Sequence, residues 1–164
     1  MTLDTSPTAA ELVKARYISA GLADSRSFEG CSLEEICSVE KKFSVHLPGS
    51  YRSFLALMGR CAGPFLEGSD YSFPDLLTFR EYAEKFLAEC GTAFRLMPSH
   101  FVFMIHQGYI IWFFDCANEQ DDPKVIAISE TQAEPIQEQS FSAWLLLVAD
   151  QELAMARELS DNGS

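Results

Sequence analysis

FVFMIHQGYIIWFFD, residues 101–115, decides the fold. The segments 101–106 and 109–115 are rich in aromatic and β-branched side chains, which suit a pleated, buried surface. Gln107 and Gly108 lie between them, and glycine supplies the positive φ that a two-residue turn needs. The stretch predicts a β-hairpin in which His106 faces Tyr109, Ile105 faces Ile110 and Phe103 faces Trp112. Both faces of the hairpin are apolar, so it belongs at the centre of a sheet covered on both sides. The run is too short to cross a membrane as a helix.

Downstream, residues 118–123 (NEQDDP) form a polar turn and residues 125–129 (VIAIS) a third strand. Ser140 then caps a final helix to about Leu159, with Phe141, Trp144, Leu145, Val148 and Leu153 on its buried side. Upstream the period is helical. A short helix spans residues 8–20 with Leu12, Ala15 and Ile18 in a stripe, ended by Gly21. Ser32 and Glu35 form a capping box for a helix over residues 32–43, with Leu33, Ile36, Val39 or Glu40, and Phe43 in one stripe. Pro48 opens the next helix, which carries Tyr51, Phe54, Leu55 and Met58 on one face and stops at Gly59. Residues 61–77 (CAGPFLEGSDYSFPDLL) form a long structured loop. Thr78 and Glu81 predict a second capping box, for a helix that buries Tyr82, Phe86 and Leu87. Helices, then an antiparallel meander, then a helix make an α+β fold. The division expected is residues 1–30 as a tail and accessory helix, with its loose end at residues 1–7, and residues 31–160 as one domain.

The chain has 164 residues, 48% of them hydrophobic, with 13 phenylalanines, enough for a core without disulfides or metal. Its five cysteines, Cys31, Cys37, Cys61, Cys90 and Cys116, are irregularly spaced and contain no CxxC. This argues against a disulfide framework or zinc site and for a reducing cytoplasm. Residues 1–10 lack the basic start and apolar run of a signal peptide. Net charge is −12. Residues 1–60 carry seven basic and seven acidic side chains, so residues 61–164, with five and seventeen, hold all of it. Such a field repels nucleic acid and attracts basic partners, besides aiding solubility.

Residues 36–57 place Glu40, then Leu47-Pro48, then YRSFL at residues 51–55. MGRCAGPFLEGSDYSFPDLLTFREYAE follows at residues 58–84. The hairpin run, DDPKV at residues 121–125 and SFSAWL at residues 140–145 complete the order. In that order and spacing the chain resembles the SUKH superfamily, specifically its Smi/Knr-type family of bacterial immunity proteins and fungal cell-wall regulators. The resemblance spans about residues 33–147 and leaves the first helix outside. Met58-Gly59-Arg60 departs from the Asn-Gly pair of many members and marks a subgroup. The resemblance implies an α+β domain that binds proteins and has neither catalytic apparatus nor cofactor. Bacterial members neutralise a toxin, often a nuclease, by direct binding. Fungal members regulate through protein contacts.

Three readings of function follow. The first is an immunity protein for a basic toxin domain. The second is a regulatory or scaffold protein of the same fold. The third is an enzyme built on Cys116 and His106. None of His46, His100 and His106 sits in a metal-ligand spacing, and no phosphate loop or nucleophile elbow occurs. Asp70, Tyr71, Phe73 and Asp75 interleave acid and aromatic on the long loop, which either presents them as a protein interface or packs over the sheet with Phe73 buried. His106, Gln107 and Tyr109 either rim a binding surface or fix their own turn. Glu119, Asp121 and Asp122 would form an acidic rim that sets association rate. Arg60 is expected to pair with an acid of the following loop. Oligomeric state is left open.

Overall fold

A computed structural model describes residues 6–163. Five helices, α1 (Ala9–Ser19), α2 (Leu33–Phe43), α3 (Gly49–Met58), α4 (Phe79–Glu89) and α5 (Phe141–Asn162), surround an antiparallel sheet. Its strands run in sequence order: β3 (Ser69–Asp70), β4 (His100–His106), β5 (Ile110–Asp115), β6 (Lys124–Ser129) and β7 (Gln132–Ser140). Two short strands, β1 (Phe28–Glu29) and β2 (Cys61–Ala62), pair separately. The architecture is α+β, with the hairpin β4–β5 at the centre.

Aromatic packing decides the layers. On one face of the hairpin, Phe101, Phe103 and Phe114 surround the fully buried Tyr51 of α3 and meet Phe141 of α5. Trp112 meets Trp144 on the same face. The other face carries Phe113, in tilted contact with the rings of Phe94 and His100, and Ile105, which α4 covers through Phe79 and Tyr82. Both faces are therefore apolar and covered, as the sequence implies.

The register differs from the one expected. Met104, not Phe103, stands opposite Trp112, Ile105 opposite Ile111 and His106 opposite Ile110. Tyr109 is an extra residue at the turn, and a bulge at Phe103 compensates for it. Beyond the bulge Val102 meets Phe113 and Phe101 meets Phe114. The bulge brings two successive large side chains to the helix-covered face, where Phe103 packs edge-on against Trp144. The turn itself has positive φ at both Gln107 (47°) and Gly108 (79°).

Helix α3 forms as expected, with Pro48 at its N-cap and Tyr51, Phe54, Leu55 and Met58 buried. The Ser32–Glu35 capping box is present. Leu33, however, is 67% exposed, because it precedes the stripe that meets α3. The box expected at Thr78 and Glu81 is absent. A 3-10 turn over Asp75–Thr78 runs directly into α4, leaving Thr78 in a helical conformation with its hydroxyl donating to the Asp75 carbonyl. Helix α4 buries Phe79, Ala83, Phe86 and Leu87, while Tyr82 is exposed. The face expected for α1 is also wrong: Ala10, Val13 and Tyr17 enter the core, and Ile18 is exposed. Tyr17 decides this by packing on Phe65. Strand β7 was not foreseen. It is an edge strand, and Glu134, Pro135 and Glu138 blunt its pairing potential and hide its signal. The expected tail lies mostly outside the described residues.

The Glu40, Leu47-Pro48 and YRSFL pattern now has a physical reading. Glu40 accepts the Leu47 N–H at 2.9 Å and the Arg52 guanidinium at 2.5 Å, locking α2, the connector and α3 together. Burial pushes the Glu40 carboxyl up, but Arg52, the Leu47 N–H and His46 outweigh it and leave the pKa below its ordinary value. Its stabilisation is thus present above the unfolded carboxyl pKa and is lost as pH falls through the depressed folded value. Glu40→Ala is expected to cost about 1.5–3 kcal/mol at neutral pH, with the deficit shrinking in acid. Urea unfolding across pH measures both; a constant deficit would contradict the argument. Arg60 pairs backward with Glu35 of α2, not with the loop that follows, although its guanidinium lies 5.2 Å over the ring of Phe73.

Candidate functional site

The hairpin tip is gripped from three sides. Strand β3 pairs Ser69 with His106, whose Nδ1 is hydrogen-bonded to the Ser69 hydroxyl at 2.8 Å. Tyr82 of α4 donates to the Gly108 carbonyl at 2.8 Å. The turn between β6 and β7 donates the Glu130 N–H to the Tyr109 carbonyl at 3.0 Å. The His106 side chain thus ties the hairpin to β3, while its carbonyl accepts the Tyr109 N–H at 3.1 Å across the turn, and its ring sits edge-on to Tyr109. Gln107 is exposed on this anchored base, with its side-chain amide beside Gly68.

Beside the tip, between α4 and the sheet, lies a slot of about 260 Å³. Phe79 and Ile105 are its apolar floor, Tyr82 and Gly108 one wall, and Asp70 and Asp75 its acidic lip. Among the described residues neither aspartate has an ion-pair partner. Aromatic and apolar surface under unpaired carboxylates accommodates the stem and head of a basic side chain.

The nine residues singled out from sequence fall into two groups. Asp70, Asp75, His106, Gln107 and Tyr109 converge at the hairpin tip. Tyr71 is near them in sequence but works inside the fold: its hydroxyl accepts the Ala62 N–H at 2.8 Å and its ring packs on Phe54. Glu119, Asp121 and Asp122 lie in the β5–β6 loop at the opposite end of the sheet. There Asp122 accepts the Ser142 N–H at the start of α5, and the Asp121 carbonyl accepts the Ser50 N–H at the start of α3. Cys116 is at that far end too, a strand length of about 20 Å from His106. Its thiol is buried, which pushes its pKa up to about 12 and keeps it unreactive at neutral pH. The structure does not bring the proposed Cys–His pair together.

Three residues at this end were missed. Tyr82 was assigned to the apolar face of α4, yet its hydroxyl reaches the hairpin. Glu130 gave no local signal; only strand pairing brings it to Tyr109. Glu152 of α5 is a half-buried carboxylate accepting the Tyr17 hydroxyl at 2.5 Å and the Leu66 N–H at 3.2 Å. It joins α1, α5 and the loop that leads into β3. Burial raises its pKa more than these two donors and His106 lower it, and Glu67 raises it further. A folded pKa above the unfolded one means stability is full below about 4.5 and falls as pH rises through the folded value. Glu152→Gln keeps an acceptor oxygen without the charge, so it should flatten that fall. Urea titrations of both proteins from acid to neutral pH test this, and parallel pH profiles would refute it.

Among the described residues no cluster of His, Cys, Asp and Glu is arranged to hold a metal ion, and no helix is long and apolar enough to cross a membrane. The sequence model of a family described as SMI1 / KNR4 family (SUKH-1) matches residues 30–147. No curated protein matches the chain.

Proposed function

The chain belongs to the SMI1 / KNR4 family (SUKH-1), and from that premise we propose that it is a non-enzymatic protein-binding module, an immunity protein that neutralises a basic toxin domain in the cytoplasm. The observation that carries the choice of surface is the slot at the hairpin tip. Two unpaired aspartates stand over an apolar floor, on a base held by β3, α4 and the β6–β7 turn. A base held in this way loses little freedom on binding, which favours affinity.

The mechanism is steering followed by occlusion. The excess acid of residues 61–164 draws in a basic partner. A lysine or arginine of that partner seats between Asp70 and Asp75, and Gln107 and Tyr109 extend the contact. About 800 Å² per side, a standard interface, would cover a nucleic-acid-binding surface on the toxin. Glu119, Asp121 and Asp122, at the other end, add to the long-range field.

Co-expression with any toxin domain found encoded beside this gene is the test. The wild-type chain should restore growth and bind with an association rate that falls steeply with salt. Asp70→Lys with Asp75→Lys should lose at least about tenfold in affinity while leaving the circular dichroism unchanged. Absence of rescue by the wild-type chain would refute the immunity reading. Full binding by the double variant would refute the choice of surface.

A further inference from the structure

We infer that the groove between α1 and the C-terminal half of α5 is the contact face of a homodimer, filled by the same face of a second copy of this chain. Two adjoining cavities of about 560 and 350 Å³ run along it and share Ala20, Leu153 and Arg157. Leu22, 46% exposed, lines the groove beside Leu12 and the exposed Ala15. Beyond Leu153 only Ala156 of α5 is even partly covered, so the last turns of a 22-residue helix rest on almost nothing in their own chain. An unsupported helical end is marginal in water. The stripe Leu12, Ala15 and Ile18, at the spacing of a buried helix face, borders the same groove or faces solvent.

Charge selects the occupant. Two copies at −12 each repel over most of their surface. The groove is an exception, with Arg16 and Arg157 balancing Asp150 and Asp161. A two-fold interface sets one patch against itself, so it needs both signs in equal measure. Arg16 already pairs with Asp150 at 2.7 Å. Arg157 and Asp161 have no ion pair among the described residues, so a second copy supplies both partners at once. A basic protein gains no steering at a neutral patch. The groove shares no residue with the slot at the hairpin tip, so dimerisation would leave that slot's residues uncovered.

Sedimentation equilibrium of the full chain tests the inference. The wild-type chain should show a monomer–dimer equilibrium that tightens with salt, because salt screens the repulsion between acidic copies. Ala15→Glu with Leu22→Glu, at exposed positions that line the groove and leave the monomer fold intact, should weaken the dimer at least about tenfold. Hydrogen exchange of the wild-type chain should show protection at residues 153–159 that grows with protein concentration. A wild-type chain that stays monomeric at every concentration would overturn the inference, as would a dimer that the double variant forms equally well. Neither result touches the hairpin-tip reading, whose own test is binding by the Asp70→Lys, Asp75→Lys variant.

Discussion

Tyr51→Ala should cost about 3–5 kcal/mol of stability, the range for truncating a large aromatic side chain in a packed core. The ring is fully buried and has five aromatic neighbours, with centroids 5.3 Å away at Phe114, 5.4 Å at Phe141, 5.5 Å at Phe101 and 5.9 Å at Phe54 and Phe103. It joins α3 and α5 to the central hairpin, so no single element can relax to close the hole. Tyr51→Phe should behave in the opposite way. The hydroxyl oxygen is buried and has no hydrogen-bond partner among the described residues, and burying an unpaired hydroxyl costs about 1–3 kcal/mol. Removing that one atom should leave stability unchanged or raise it by about 1 kcal/mol. Urea unfolding of the three proteins measures both effects. A loss in Tyr51→Phe approaching that in Tyr51→Ala would show that the hydroxyl, not the ring, supports the core.

The parts of this fold that could be read from sequence are those where one local signal meets one partner. Helix α3 has a proline at its N-cap, a glycine after its end and one apolar stripe, and its buried residues are the expected ones. The Ser32–Glu35 box closes within one turn and needs no tertiary help. Where two answers compete locally, the tertiary structure chooses. Helix α1 carries two apolar stripes, and the choice of Ala10, Val13 and Tyr17 rests on Phe65 and Glu152, which are distant in sequence. The hairpin register depends on Tyr109 and Phe103 acting as paired insertions, a compensation that an apolar run on both faces cannot display. Strand β7 is polar and carries Pro135 because it lies at an edge.

The same logic explains the site. His106, Gln107 and Tyr109 were legible because a turn between two apolar strands is a local signal. Asp70 and Asp75 were legible as acids on a loop containing aromatics. Their convergence was not legible, since it depends on β3 pairing with β4 and on α4 crossing the sheet beside them. Glu119, Asp121 and Asp122 look similar in sequence, but the strand direction carries them to the other end. There two of them support helix starts.

Gly30→Ala should be the most damaging single-methyl change in the chain, with a loss of about 3 kcal/mol or more. A Cβ at Gly30 would lie 1.8 Å from the Ala56 carbonyl oxygen, 2.5 Å from its carbon and 3.1 Å from the Leu57 nitrogen. All three are backbone atoms of α3, which cannot swing aside as a side-chain tip can. The contact is tight because two hydrogen bonds flank it: the Cys31 N–H donates to the Leu55 carbonyl at 2.7 Å and the Arg60 N–H to the Glu29 carbonyl at 2.9 Å. Making room for a methyl group requires breaking at least one of them and tilting the helix that carries Tyr51. Gly49→Ala is the control. The atoms nearest its Cβ would all belong to the Asp121 side chain, the first at 3.0 Å, and that carboxylate can rotate away. Gly49 also begins α3, where alanine is the better helix former, by roughly 0.5–1 kcal/mol for an interior position. Gly49→Ala should therefore be neutral or mildly stabilising. Thermal and urea unfolding of the two variants should separate them clearly. Equal losses would mean that backbone entropy, not the approach of residue 30 to α3, governs both positions. The family match begins at residue 30, where the chain passes closest to the helix that holds the hairpin's aromatic face.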